Sequence, residues 1–395
     1  MNMLQAHEQT KASFKVATRL GWNSGALVRP GVVIGTPKKP IEQALGGLDP
    51  NMLAKYRVRG PLKDWQTNIA KVCTGNTRLM FAVSVALTGP ILRLVAGPRG
   101  GGFQFWGPKE TGKTTAAMVA GSVWGCHRGA GNPEIGFAES WNSTGGKIEV
   151  TALAHNDSLL ILDETTLAGP DDKKRAEVVT SVVMALAQQT EKQRLTNVAS
   201  ARWWRCFFLS TSNFTLDELA SRGNVLLNDA HRSRLTDVPL PVGGHGIYEN
   251  LHGFASGDKL TDALIVRARK YCGSAGLEFQ TKLVAACHSD EKQIRKWLRR
   301  QRKVYSKRIK VQAKAKGLKA LSRSTGRCAT AYAAGCLAIK YKIVPWKEAQ
   351  LLRAVLACQL DGLAQVAKEP VKADKCRRLP SWRAPRRRRH WPGLL

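Results

Sequence analysis

Apolar residues recur along this chain in two rhythms that alternate through its middle. After Pro61, which suits a first helical position, Leu62, Trp65, Ile69 and Val72 return every third or fourth residue and predict a helix ending near Gly75. Phe103 to Trp106, Ser158 to Asp163 and Trp203 to Ser210 are instead short apolar runs of strand length, with a helical pattern from Thr114 to Trp124 after the first. Strands buried on both faces and alternating with helices imply a parallel sheet. The longest apolar stretch, Leu79 to Ala96, is interrupted by Gly89-Pro90 and carries Arg93, so it reads as a buried helix followed by a strand rather than as a membrane span.

The ends of the chain have different patterns. Residues 1–60 are rich in Gly and Pro around a short apolar run from Gly31 to Gly35, and read as a small strand-and-turn region. Gly243 to Gly246 resembles a hinge; beyond it the pattern is helical, with apolar patches from Ala329 to Ile343 and from Ala349 to Leu363. The expected division is a strand-and-turn region at 1–60, a core at 61–245, a basic helical region at 246–370 and a disordered tail at 371–395 containing Arg386 to Arg389.

Charge sharpens this picture. Lys and Arg number 62 against 29 Asp and Glu, a formal +33, and such a field attracts polyanions, above all nucleic acid. From Lys292 to Arg327 there are fifteen Lys and Arg and no acidic residue. An anionic membrane is the rival partner, but neither a terminal amphipathic basic helix nor a lipidation motif supports it. The nine cysteines show no metal-ligand spacing, which predicts reduced, mostly buried thiols. With no secretory start, a cytoplasmic location is expected.

Gly107-Pro108-Lys109-Glu110-Thr111-Gly112-Lys113-Thr114 satisfies G-x-x-x-x-G-K-[ST] and is followed by Thr115 at the start of a helical pattern. Glycines at these positions let backbone N–H groups close around phosphate oxygens. Lys113 is expected to bridge the β and γ phosphates of ATP, and Thr114 to offer its hydroxyl to Mg²⁺, with a helix N-terminus behind them. Glu110 is tolerated if alternate side chains of the loop face solvent.

About fifty residues on, Leu159 to Asp163 is a buried strand ending in Asp163-Glu164. Asp163 is expected to hold Mg²⁺ through water and Glu164 to act as general base on the attacking water. Phe207 to Asn213 is a further apolar strand with a small polar end, and Asn213 is the candidate sensor of the γ-phosphate. A helix cap is its competing role, but Thr215 to Glu218 already forms a capping box. Arg232 and Arg234, before an apolar strand, are candidates for an arginine finger reaching a neighbouring subunit, with a surface or DNA-facing role as the alternative.

These residues resemble the domain of unknown function 927 family of phage, plasmid and bacterial proteins, related to superfamily 3 helicases and other oligomeric ATPases. The resemblance runs from about Gly21 to Leu363 and is carried by Leu62 to Trp65, Phe103 to Trp124, Ser140 to Glu164, Leu209 to Thr211, Arg234 to Pro239, and Gly246 to Gly276 with its Leu251-His252-Gly253-Phe254 core. It implies an α/β P-loop NTPase of the ASCE or AAA+-like class with a catalytic glutamate, and a homo-oligomer of ring type. It carries Gly107, Gly112, Lys113, Thr114, Asp163 and Glu164 over as nucleotide-site positions and Arg234 as the better finger. Many members have a Gly-Glu pair at Ser212-Asn213, where the Asn here is closer to the superfamily 3 pattern. Members often carry a longer, sometimes primase-like N-terminal region, so no priming activity is expected here.

In superfamily 3 helicases, basic residues between the second and third motifs enter a central channel; Lys192 and Arg194 occupy that interval, together with Arg202. The basic block adds Arg295, Arg299, Arg302, Lys303, Lys307 and Lys310 as one expected helical face. Trp297 and Tyr305 are available either to stack bases or to anchor the helix to the core. The expected function is thus Mg²⁺-dependent ATP hydrolysis coupled to nucleic acid, DNA before RNA, as a phage- or plasmid-type helicase or translocase. The alternatives are a packaging or remodelling ATPase that does not unwind, and a nucleic-acid-binding protein in which ATP is only a switch. A general base at Glu164 argues against the last.

Overall fold

The computed structural model describes residues 14–44, 51–97, 100–127, 136–191, 202–242 and 244–368. The N-terminal region is built of short strands: β1 (Lys15–Ala17), β2 (Gly21–Asn23), β3 (Ala26–Arg29), β4 (Val32–Ile34) and β5 (Ile41–Gln43). β2, β3 and β4 form an antiparallel meander, and β1 pairs with β5 in parallel. Ser24 and Gly25 turn β2 into β3 with φ of 48° and 87°, the two positive values that a two-residue hairpin demands.

A helical layer follows, made of α1 (Met52–Lys55), α2 (Leu62–Trp65), which runs through a π-helical turn at Gln66–Ala70 into α3 (Lys71–Cys73), and α4 (Thr77–Ala86). The helix expected after Pro61 is therefore present, with Gly75 at φ 83° beyond its end. The strand expected after α4 is not. The chain makes a 3-10 turn at Gly89–Ile91 instead, because Gly89 lies against the start of a sheet strand, where a Cβ would sit 2.3 Å from the Ser158 carbonyl oxygen. Gly and Pro here mark a close backbone approach inside the core.

The centre of the chain alternates as predicted: β6 (Gly102–Trp106), α5 (Lys113–Gly121), β7 (Glu139–Ser140), α6 (Gly145–Ala154), β8 (Leu159–Asp163), α7 (Asp172–Gln188), β9 (Phe207–Ser212), α8 (Leu216–Arg222), α9 (Asp229–Arg234) and β10 (Leu235–Pro239). The five strands form one parallel sheet in the order β10-β6-β9-β8-β7. Both faces are covered, which is why these strands read as continuous apolar runs. Phe103, Phe105, Ile161 and Leu209 join the core with α4 and α5; Leu160, Leu162 and Phe208 pack against α6, α7 and α8. β9 begins at Phe207, later than expected, because the residues before it are otherwise engaged. Trp203 bridges Thr190, the Trp204 N–H donates to Gln189, and Arg205 forms a two-pronged ion pair with the buried Asp157.

The chain closes with α10 (Gly257–Lys270), α11 (Ser274–Ala315, broken at Asp290), α12 (Ser322–Lys340) and α13 (Glu348–Lys368). Residues of α12 and α13 share one core with α4 and with Val238 of β10. The expectation of reduced thiols needs one correction: Cys126 and Cys272, 146 residues apart in sequence, form a disulfide. The Gly273 N–H donates to the Ser122 carbonyl at 2.8 Å and brings the α10–α11 link against the end of α5, a proximity that sequence spacing cannot show. Cys73, Cys206, Cys287, Cys328, Cys336 and Cys358 are buried and free. Among the described residues no helix is long and apolar enough to cross a membrane. The tail at 371–395 lies outside the described residues.

Candidate nucleotide site

The G-x-x-x-x-G-K-T segment connects the end of β6 to α5, at the edge of the sheet where the strands have their C-terminal ends and where parallel α/β sheets bind ligands. Its root is tied on both sides: the Leu240 N–H donates to the Trp106 carbonyl at 2.8 Å and the Gly107 N–H to the Ser212 carbonyl at 3.3 Å. Gly107 has φ 152°, and a Cβ there would lie 2.2 Å from the Leu240 carbonyl oxygen; Gly112 has φ 92°, and a Cβ would lie 2.5 Å from Ile247 Cγ2. Only glycine fits either position. Pro108, Lys109 and Glu110 are exposed, whereas Lys113 and Thr115 are buried. The Lys113 ammonium donates to the Gly107 carbonyl at 2.9 Å and also to that of Pro108, while the Thr111 hydroxyl donates to Pro108 at 2.9 Å. Burial holds the Lys113 pKa below the ordinary lysine value, against the opposing pull of the Glu164 and Asp163 carboxylates.

Those carboxylates stand at the end of β8, two strands away. The Thr114 hydroxyl is 3.3 Å from each carboxylate oxygen of Asp163. From β9, the strand between, Thr211 donates to Asp163 Oδ1 at 2.6 Å and accepts the Glu164 N–H at 2.8 Å, fixing both acids. Burial raises the Asp163 pKa, and the Thr211 and Thr114 donors offset part of that rise. Glu164 takes the left-handed region at φ 65°, with its carboxylate accepting the Thr166 hydroxyl at 2.6 Å and, more weakly, the Thr166 N–H at 3.3 Å. Asn213 follows β9, and its side-chain oxygen is buried without a partner among the described residues. It is not the cap of α8; Thr215 and Glu218 form that capping box. Beneath the site a polar relay crosses the sheet from Trp141 through Ser210 and Gln104 to Asp237.

A family profile described as "Domain of unknown function (DUF927)" matches residues 1–203, more than half of the 395-residue chain. The chain belongs to the DUF927 family. The match contains Gly107 to Thr114, Asp163 and Glu164, whereas Asn213, Arg234 and the basic block lie beyond it, so the resemblance expected as far as Leu363 is matched only as far as residue 203. No curated protein matches this chain. A solved structure described as "SCCmec type IV Cch - active helicase" is 16% identical with a TM-score of 0.55, covering 83% of this DUF927 chain. The chain spans 57% of that protein's length, and the likeness is one of fold.

The remaining candidates of this DUF927 protein lie elsewhere. Leu235 of β10 pairs with Gly102, which puts Arg234 at the opposite end of the sheet from Gly107, six residues along the strand direction or about 20 Å away. Arg234 donates to the Ala230 carbonyl at 2.8 Å, and Arg232 pairs with Asp217 at 2.8 Å. Lys192 and Arg194 lie outside the described residues; Arg202 pairs with Glu191 at 2.8 Å.

The expected basic face of α11 needs correction. Arg299 and Lys303 are exposed, but Arg295 binds Glu291 and the Arg93 carbonyl, and Arg302 turns inward to the Ala96 carbonyl. Tyr305 is buried, with its hydroxyl donating to Gln359 at 2.7 Å, and Lys340 lies over the half-buried Trp297 ring, so both aromatics anchor the helix. Residue spacing defines a helical stripe but not which way it faces. Sequence reading also gave Thr211 no role of its own, beyond its place in a small polar strand end and in the Leu209 to Thr211 stretch of the family resemblance. It missed Ile247 and Tyr248 as well, which brace Gly112 and Thr115.

Proposed function

We propose that this protein is a P-loop ATPase of the AAA+-like class that hydrolyses ATP with Mg²⁺ and couples the reaction to nucleic acid, as a superfamily 3-like helicase or translocase. The observation that carries the reading is the convergence of Lys113 and Thr114 with Asp163 and Glu164 at one end of a parallel sheet. β9 lies between the loop strand and the acid strand, so Asn213 ends between them, and its unpartnered buried oxygen suits a group that orients the attacking water.

In this reading Lys113 exchanges the Gly107 and Pro108 carbonyls for β- and γ-phosphate oxygens, while the backbone N–H groups of residues 107 to 115 cradle the phosphates. Thr114 and Asp163 present hard oxygens 3.3 Å apart, a donor pair that fits Mg²⁺ bound jointly by protein, water and phosphate. Bound Mg²⁺ supplies charge neutralisation at the phosphates. Glu164 leaves Thr166 to take the proton from the water that attacks phosphorus. Arg234 cannot serve its own site from the far end of β10; a finger role requires a neighbouring copy, as in a ring. Lys192 and Arg194 are the proposed contacts to a nucleic acid strand.

The fold shared with an active helicase supports nucleic acid as the track, as does the charge of +33. Single-stranded DNA is therefore expected to raise the ATPase rate of the full chain several-fold at low salt, with the effect fading as salt rises. A rate that does not respond to DNA at any salt concentration would instead favour a motor acting on another substrate.

A further inference from the structure

The part of α11 after its break at Asp290 has two unlike sides. Ile294, Leu298, Tyr305, Ile309 and Ala313 are buried. On the opposite side Lys296, Arg299, Lys303, Lys307, Lys310 and Lys314 are all exposed, at spacings of three and four that align them along the helix. Among the described residues none of the six is in an ion pair, and no acidic residue occurs in the sequence from Lys292 to Lys347. The stripe is straight and about 27 Å long at 1.5 Å per residue, close to eight base-pair steps of 3.4 Å.

We infer that this face docks duplex nucleic acid through its phosphate backbone, a contact separate from the proposed channel residues. The inference rests on the reading that the protein acts on nucleic acid. Single-strand sites pair cationic grooves with aromatic platforms, and here the two aromatics of the segment are turned into the protein. A row of exposed cations with no stacking surface suits the rigid, evenly charged backbone of a duplex.

The face also has a defined place in the fold. Arg93 reaches Glu291 at the start of this segment and lies over Trp22; Asp157 accepts the Trp22 N–H and pairs with Arg205, beside Trp203. The basic face thus begins near the Thr190–Trp203 bridge, toward the end of the sheet opposite Lys113.

The test uses the full chain with Lys303, Lys307 and Lys310 all changed to Glu, and a control with Lys63, Lys71 and Lys147 changed to Glu, an equal charge change at exposed lysines elsewhere. Binding to a labelled 20-base-pair DNA duplex and to a 20-nucleotide single strand is followed by fluorescence anisotropy across salt, with thermal unfolding of each variant measured alongside. Losing three phosphate contacts is expected to weaken duplex binding on the order of 10²-fold at 0.1 M salt, and to flatten the log–log salt slope by about 2.7. The control should bind duplex nearly as the wild type does, and the single strand should be affected much less by the α11 changes. Unchanged duplex binding by a folded triple variant overturns the inference, as does an equal loss in the control, which would reveal only bulk charge. Equal loss for duplex and single strand overturns the choice of duplex. A wild-type chain that binds neither DNA overturns the nucleic-acid reading itself, a different and recognisable result. If the Glu variant unfolds, the same positions changed to Gln give the same comparison with smaller shifts.

Discussion

Replacing Lys113 with Ala is expected to leave a folded protein that no longer holds ATP. Among the described residues the ammonium hydrogen-bonds only carbonyls of its own loop, at Gly107 and Pro108, so its removal breaks no hydrogen bond to another element. In the nucleotide complex the same group is to make two charge-assisted hydrogen bonds to phosphate oxygens, each contributing about 1.5–3 kcal/mol. Their loss weakens ATP binding by about 10²–10⁴-fold. Burial lowers the Lys113 pKa, and an arriving polyphosphate opposes that shift by favouring the ammonium form. Calorimetric titration of the variant with Mg²⁺ and ATP checks this. Undiminished binding would remove the loop from the account.

Glu164→Gln is expected to do the opposite, retaining ATP while turnover falls by about 10²–10⁴-fold, the usual contribution of a positioned general base. The amide keeps the shape of the side chain and can still bond the Thr166 hydroxyl, but it cannot accept a proton from water. The backbone at Glu164 has φ 65°, and its N–H is held by Thr211, so the residue is fixed by its surroundings before any substrate arrives. ATP binding by titration and phosphate release by a coupled assay separate the two effects. Normal hydrolysis would show that another group is the base. A loss of binding together with turnover would show that Glu164 supports the fold of the site.

The two ends of the sheet carry different groups. The C-terminal ends of β6, β8 and β9 carry Gly107, Asp163 and Asn213; the N-terminal ends of β9 and β10 carry Arg205 and Arg234, with the basic segment of α11 starting nearby. In the proposed reading, nucleotide turnover at one end would change the grip on a strand at the other, with the sheet between them as the connection.

What sequence made legible was whatever local geometry decides. A glycine that must have positive φ, a lysine at a helix start and an apolar run ending in two acids each define a neighbourhood of a few residues. The structure shows those neighbourhoods at Gly107, Gly112, Lys113 and Asp163. Long-range packing stayed hidden. Nothing near Gly89 in sequence reveals that Ser158 will press against it and turn an expected strand into a 3-10 turn. Nothing near Cys126 points to Cys272. Arg295 and Arg302 share helical spacing with Arg299 and Lys303, yet the core lies on their side of the helix, and the carbonyls of Arg93 and Ala96 capture them. Thr211 was unreadable for a related reason: a threonine at a strand end looks like any other until a neighbouring strand brings Asp163 within 2.6 Å.

The most direct measurement is phosphate release by the purified full chain supplied with ATP, in Mg²⁺ and then in excess chelator. An oxygen-lined Mg²⁺ and ATP site formed by one loop and two strand ends predicts steady hydrolysis that stops when the metal is withdrawn and resumes when it is returned. Hydrolysis that ignores the chelator, or a folded, ATP-saturated protein that releases no phosphate with or without DNA, would contradict it.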